Sequence, residues 1–196
     1  KKYKFTPGDP ESKQKGKGEK QMNYDAMIII DMQTALINEH PFNERKVISN
    51  IQELISLCRM QNIPLIYIRH DGGTGDELEK GTEGWEIHKA LAPSQEDCII
   101  DKKYNSAFRQ TVLREYLENL NAKKIIMCGM QTEYCFDVSC KVAFEYGYEV
   151  TIPKDTTTTF DNDFTSGEKL ARYYEEKIWN HRYANVLSID EIRDTM

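Results

Sequence analysis

The sequence predicts an α/β fold in three layers, a six-stranded, mostly parallel sheet with helices on both faces. From Ala26 onward short apolar runs alternate with longer helical patterns, the rhythm of βα units. The first run, Ala26-Met27-Ile28-Ile29-Ile30, is apolar almost throughout, as a strand covered on both faces must be. At 196 residues the chain suits one domain that encloses roughly 70% of its unfolded surface.

The elements follow in order. Val47, Ile48, Ile51, Leu54, Ile55 and Cys58 repeat at helical spacing and predict a helix over about 44–61. Pro64 opens a second strand, Leu65 to Ile68. Residues 70–95 are Gly-rich, polar and too long for an ordinary connection, so they are expected to border the active site. Cys98-Ile99-Ile100 is a third strand ending at Asp101, and Phe108 to Leu120 a helix with Leu113, Tyr116, Leu117 and Leu120 on one face. Lys124 to Cys128 is the fourth strand, and a helix from about Tyr134 to Tyr146 ends at Gly147, whose freedom at positive φ suits a helix end. Glu149 to Ile152 is the fifth strand. Thr165 and Glu168 are spaced as a capping box for the last long helix, striped with Leu170, Tyr174 and Ile178 and leading to a sixth strand near Asn185 to Ser188. The Thr156 to Thr159 run reads as a β-like or turn segment without chemistry, and Tyr173-Tyr174 as interface or core.

Composition narrows the function. No apolar run approaches the ~18 residues of a membrane span. The net charge of -6 divides unevenly, +4 over residues 1–21 and -10 over the rest, and an acidic body disfavours nucleic acid. Residues 1–21 lack the apolar core of a signal peptide and read as a disordered leader or tag, leaving 22–196 as the domain. Five cysteines, an odd number in mostly apolar contexts, point to a reducing cytoplasm.

In an open parallel sheet, ligands bind beyond the carboxyl ends of the strands. The first strand delivers Asp31 and Gln33, the third Asp101, Lys102 and Lys103, and the fourth runs through Gly129, Met130, Gln131 and Thr132 to Cys135 at a helix start. Taken singly, each has a bland reading: Asp31 as a turn former, the lysines as solvated charges, a cysteine as a small buried hydrophobe. Cys58, Cys98, Cys128 and Cys140 keep that last reading. Gln33 weighs equally as a structural donor and a substrate contact, and Trp85 is expected to wall the pocket.

Together these places carry a resemblance. Asp31-Met32-Gln33, then Lys102-Lys103-Tyr104-Asn105-Ser106-Ala107-Phe108, then Gly129-Met130-Gln131-Thr132-Glu133-Tyr134-Cys135 resemble the three signature blocks of isochorismatase-like cysteine hydrolases, in order, from Ala26 to about Asp161. The resemblance implies a Rossmann-like sheet and an Asp-Lys-Cys triad at Asp31, Lys102 and Cys135. The family's lysine lies four residues before the Ser of the Ser-Ala-Phe block, which selects Lys102 over Lys103. The resemblance also implies a cis peptide at Met130-Gln131, an oxyanion hole from the backbone N–H groups of Gln131 and Cys135, and Met130 among the substrate contacts with Gln33 and Trp85. Relatives are commonly dimers or tetramers, so a homodimer or homotetramer is implied.

The chemistry expected is hydrolysis of a C–N bond in a small amide, carbamate, ureido compound or lactam through a thioester. A helix N-terminus and an ammonium would lower the thiol pKa from about 8.5 into the range of about 3.5–7.5. His70, Asp71 and His88 invite a metal, but the Asp-x-His pair of nicotinamidases is replaced by Arg69-His70-Asp71-Gly72, so no metal or other cofactor is expected. The loop from His70 to Trp85 and the Gly129 block look like the subgroup containing streptothricin hydrolase. True isochorismatases cleave a vinyl ether without a nucleophilic cysteine, which Cys135 argues against. The competing readings are a nicotinamidase-type or isochorismatase-type hydrolase, a non-catalytic small-molecule-binding scaffold, and redox sensing by Cys135 with Cys140.

Overall fold

The computed structural model describes residues 24–196. The leader or tag read over 1–21 lies outside the described residues.

Strands β1 (Ala26–Ile30), β2 (Leu65–His70), β3 (Cys98–Lys102), β4 (Lys124–Met130), β5 (Glu149–Pro153) and β7 (Asn185–Leu187) form a sheet in the order β3-β2-β1-β4-β5-β7. Each neighbouring pair is parallel. A seventh, two-residue strand, β6 (Thr157–Thr158), pairs with β4, so the threonine run is a strand and the predicted count of six falls one short. Strand order reverses between β1 and β4, which is where an open parallel sheet leaves its crevice.

The alternation of β1 explains the layers. Ala26, Ile28 and Ile30 point into one core with Ile66, Ile68, Phe136 and Trp179, while Met27 and Ile29 point into the other with Ile51, Leu54 and Tyr67. Helix α2 (Glu44–Met60) buries Val47, Ile51, Leu54, Ile55 and Cys58, the stripe its periodicity predicts. Each such aliphatic side chain contributes about 1.5–3 kcal/mol on full burial. Helices α1 (Thr34–Asn38) and α6 (Ile189–Arg193) add Leu36, Ile37 and Ile192 to that core, and α3 (Leu113–Asn119) and α4 (Asp137–Glu145) cover the opposite face. Among the described residues no helix is long and apolar enough to cross a membrane.

Three predicted helices are shorter or start elsewhere. Helix α3 begins at Leu113, not Phe108, because Gln110 sits at φ 55° and the Ser106 and Thr111 hydroxyls take the Phe108 and Leu113 N–H groups. The helix expected from Tyr134 opens as a π-turn over Thr132–Phe136 before α4 starts at Asp137, and it ends as predicted at Gly147, φ 87°. The Thr165 and Glu168 capping box is absent: Asn162 accepts the Thr165 N–H, so Ser166 caps α5 (Gly167–Tyr173), which runs on as a π-turn to Trp179. A capping box forms instead at Ser188 with Glu191, on α6.

Candidate active site

Four strand ends converge at the reversal point. Asp31 leaves β1 at φ 51°, a left-handed turn that Asp tolerates better than most residues. On β4, Gly129 sits at φ 123°, and a Cβ there would lie 2.1 Å from the Ile30 carbonyl oxygen. Only glycine therefore lets β4 press against the end of β1, delivering Met130-Gln131 and the π-turn beside Asp31. The Met130–Gln131 peptide bond is cis.

Alternation along β3 separates the two lysines. Lys102 turns inward with its side chain fully buried, whereas Lys103 is exposed and reaches Asp71 only at 3.8 Å. Lys102 Nζ lies 2.7 Å from Asp31 Oδ2, 3.2 Å from Cys135 Sγ and 3.0 Å from His70 Nδ1. His70 and Lys102 are register partners on β2 and β3, so sheet hydrogen bonding itself sets them side by side. An ammonium has hydrogens to give and no lone pair to accept with, so His70 Nδ1 accepts and the neutral ring carries its proton on Nε2.

Cys135 is anchored from behind. Its carbonyl accepts from the Ser139 hydroxyl at 2.6 Å, and the same oxygen of Ser139 accepts the Ala107 N–H at 2.9 Å, stapling the π-turn to the Ser106-Ala107-Phe108 block. The Gln131 carbonyl accepts from both Tyr134 and Phe136, at 3.1 and 3.2 Å. Asp137, which opens α4, bonds Trp179 Nε1 at 2.9 Å and Lys141 Nζ at 2.7 Å.

The three sequence-predicted triad residues are thus together, at a cavity of about 280 Å³ lined by Asp31, Leu36, His70, Leu78, Asn105, Gln131, Tyr134 and Cys135. Gln131, expected in the oxyanion hole, is in its lining, whereas the expected substrate contacts Gln33, Trp85 and Met130 are not. Gln33 is fully buried, its amide donating to the His70 and Trp85 carbonyls and accepting the His70 N–H, which makes it a brace between β2 and the long loop. Trp85 is buried under the Arg69 guanidinium, 3.5 Å above its ring, and is a packing anchor, not a wall. Met130 is likewise buried in the apolar core. The sequence points to His70 only as a metal candidate, although its place at the end of β2 is a usable signal. Leu78 shows that the long loop does border the cavity.

Burial dominates the electrostatics. It raises the Asp31 pKa from its ordinary value against the pull of the Lys102 ammonium, and it lowers that of His70, with Lys102 pushing the same way. The Cys135 thiol is pushed up to about 12, first by burial and then by the Asp31 carboxylate, with Lys102 opposing. The expected low thiol pKa is therefore corrected. The residue sits inside a π-turn next to an anion, and the lysine's charge is shared with that anion. Asp31 Oδ1 is buried and has no nitrogen or oxygen hydrogen-bond partner among the described residues, and the Cys135 thiol is the group besides Lys102 that stabilises the carboxylate by a hydrogen bond.

Asp31, His70 and Cys135 also offer a carboxylate oxygen, a ring nitrogen and a sulfur within 4.8 Å of one another, a donor set that could hold a metal. Their common neighbour is already a cation, Lys102 Nζ, within about 3 Å of all three. The donors fit a metal poorly while that ammonium stays.

Comparison with known proteins bears on the family and the fold. The isochorismatase domain model matches residues 25–190. The chain is 28% identical over 176 residues to nicotinamidase 3 of Arabidopsis thaliana, covering 83% of this chain and 82% of that one. It is 25% identical over 138 residues to streptothricin hydrolase of Streptomyces noursei, covering 69% of this chain and about half (50%) of that relative's length. A crystal structure of an isochorismatase family protein superposes with a TM-score of 0.80 at 27% identity, over 85% of this chain and 99% of that one.

Proposed function

Because the chain belongs to the isochorismatase family, we propose that it is a cysteine hydrolase that cleaves the C–N bond of a small amide, carbamate, ureido compound or lactam. One observation carries the reading: a buried lysine joins a carboxylate at 2.7 Å and a thiol at 3.2 Å where both line a small cavity.

With the resting thiol protonated, Asp31 takes the proton as Cys135 Sγ attacks the carbonyl carbon. A C–S bond forms, and the charge moving onto the carbonyl oxygen is received by the backbone N–H groups of Gln131 and Cys135. Collapse breaks the C–N bond, and Asp31 returns its proton to the departing nitrogen. Water then attacks the thioester, again losing a proton to Asp31, and the thiol is restored. A carboxyl group with a raised pKa suits this double duty, since it holds the proton it takes better than an ordinary carboxylate does and can still return it. Lys102 holds the carboxylate in place and tempers the thiolate as it forms. The occupant is a small molecule, and assembly as a homodimer or homotetramer belongs to the same reading.

The test is a screen of small amides, carbamates, ureido compounds and lactams for amine or ammonia release, with mass spectrometry of the intact chain. We expect release accompanied by an acyl adduct that maps to Cys135, and Cys135→Ala should lose both, with turnover falling about 10⁴-fold or more. Undiminished turnover in that variant overturns the mechanism.

A further inference from the structure

We propose that Ser139 is a positioning residue of this hydrolase: its buried hydroxyl ties the nucleophile's own carbonyl to the segment that descends from Lys102, and so fixes Cys135 Sγ against Lys102 Nζ. The inference rests on the cysteine-hydrolase reading and adds to it how the sulfur is aimed.

The need for such a joint follows from the π-turn. The Phe136 N–H bonds the Gln131 carbonyl five residues back, so the backbone over Thr132–Phe136 is wider than an α-helix, and Cys135 stands just before the chain narrows into α4. Where the regular ladder is interrupted, the direction of a side chain depends on what holds the carbonyls at the break. Ser139 lies in α4, four residues after Cys135, and a serine hydroxyl in a helix can reach back to the carbonyl of its own i−4 residue. It does so here at 2.6 Å, onto Cys135 itself.

A hydroxyl has one hydrogen to give and lone pairs to accept with. With its hydrogen on the Cys135 carbonyl, Ser139 Oγ accepts the Ala107 N–H at 2.9 Å, and both Ser139 and Ala107 are fully buried, so solvent does not compete for either bond. Ala107 lies five residues beyond Lys102, whose ammonium is 3.2 Å from Cys135 Sγ. Between them Asn105 lines the cavity, with its Oδ1 3.9 Å from the same sulfur. One oxygen thus closes a ring that runs from Lys102 through Ala107, Ser139 and Cys135 back to Lys102. Ala107 also supplies a comparison. Thr111 Oγ1 donates to its carbonyl at 2.6 Å, a bond of the same kind to the same residue that does not include the nucleophile.

The test reads the sulfur directly. Alkylation of Cys135 by iodoacetamide, in which a C–S bond replaces the C–I bond, iodide leaves and the thiol proton passes to the base, is to be followed across pH by peptide mass spectrometry in wild type, Ser139→Ala and Thr111→Val. Burial and Asp31 hold the Cys135 thiol up at about 12 against Lys102, and a loosened turn weakens all three influences together. Their net effect raises the thiol, so in Ser139→Ala the titration should move down toward an ordinary cysteine's. For a substrate found in the screen, kcat should fall about 10²-fold with KM little changed, the scale of a misplaced reacting atom. Thr111→Val should keep the wild-type titration and kcat. A defect of stability alone lowers the amount of native protein and leaves the titration of the native fraction where it was. An unshifted titration in Ser139→Ala overturns the proposal, as does an equal shift in Thr111→Val or a Ser139→Ala chain that fails to fold. A shifted titration without any C–N hydrolysis sinks the hydrolase reading and not the joint. Hydrolysis whose kcat and titration ignore Ser139 sinks the joint alone.

Discussion

Two clusters of ion pairs start one register position apart on β2 and β3 and are built on opposite terms. At the cavity, Lys102 and Asp31 are buried almost completely, at 0% and 2% side-chain exposure. On the outer side of β2 and β3, Arg69 pairs with Asp101 and Glu86, and Lys80 with Asp101, all within 2.8–3.0 Å but with Glu86 and Lys80 more than half exposed. The outer cluster pins the 71–88 loop over Trp85, and each of its pairs is worth about 0–1 kcal/mol. A buried pair repays its desolvation poorly as a source of stability, so chemistry is the more economical reason for its presence. That contrast weighs against a non-catalytic scaffold.

Removing one partner should separate the clusters most sharply. Lys102→Met leaves a buried carboxylate without its cation, and unfolding in urea should show a loss of about 3–5 kcal/mol. The next effect is on reactivity. Asp31→Asn should lower turnover by about 10²–10⁴-fold, yet the pH dependence of Cys135 alkylation should move to lower pH, because the carboxylate that raises the thiol is gone and the lysine that lowers it stays. In the unaltered protein, kcat/KM should fall with acid at a pH above the usual carboxylate range, since burial raises Asp31. A thiol pKa that rises in Asp31→Asn would contradict the assigned electrostatics.

Arg69→Ala removes two partly exposed pairs and the stack on Trp85, and should cost only about 1–2 kcal/mol. Its signature should be faster proteolysis within 71–88 and a raised KM with kcat little changed. A loss as large as that of Lys102→Met would erase the distinction between the clusters. The smallest effect concerns a carboxylate with no ion-pair partner among the described residues. Glu175 accepts the Asp155 N–H at 3.2 Å and is pushed up to about 7 from 4.5, by burial first and then by the Asp155 charge. Its folded-state pKa is raised, so the stability it contributes is present below about 4.5 and lost as pH rises through about 7. Glu175→Gln should therefore melt about 2–4 °C higher than wild type at pH 8.5 and alike at pH 4.5.

The layers and the triad were legible because each depends on strand periodicity. An unbroken apolar β1 marks the sheet's centre, and three polar blocks at strand ends mark the crevice. What escaped depends on contacts made across the chain. The helix start at Leu113 turns on side-chain hydroxyls competing for backbone, and the π-turn that carries Cys135 is stapled by Ser139 and Ala107, thirty-two residues apart. Gln33 and Trp85 stood where substrate contacts were expected, but only the fold shows that they brace each other. The thiol's environment escapes for the same reason: sequence names both the lysine that lowers it and the carboxylate that raises it, and hides the burial that outweighs both.

The pairing of His70 with Lys102 across β2 and β3 places the reactive floor on the sheet's own ladder, while the 71–88 loop that adds Leu78 hangs between those strands as an insert. Reactivity and selectivity thus belong to separable pieces of chain. A loop of different length and composition could be exchanged there to retune what enters, without redesigning the machinery underneath.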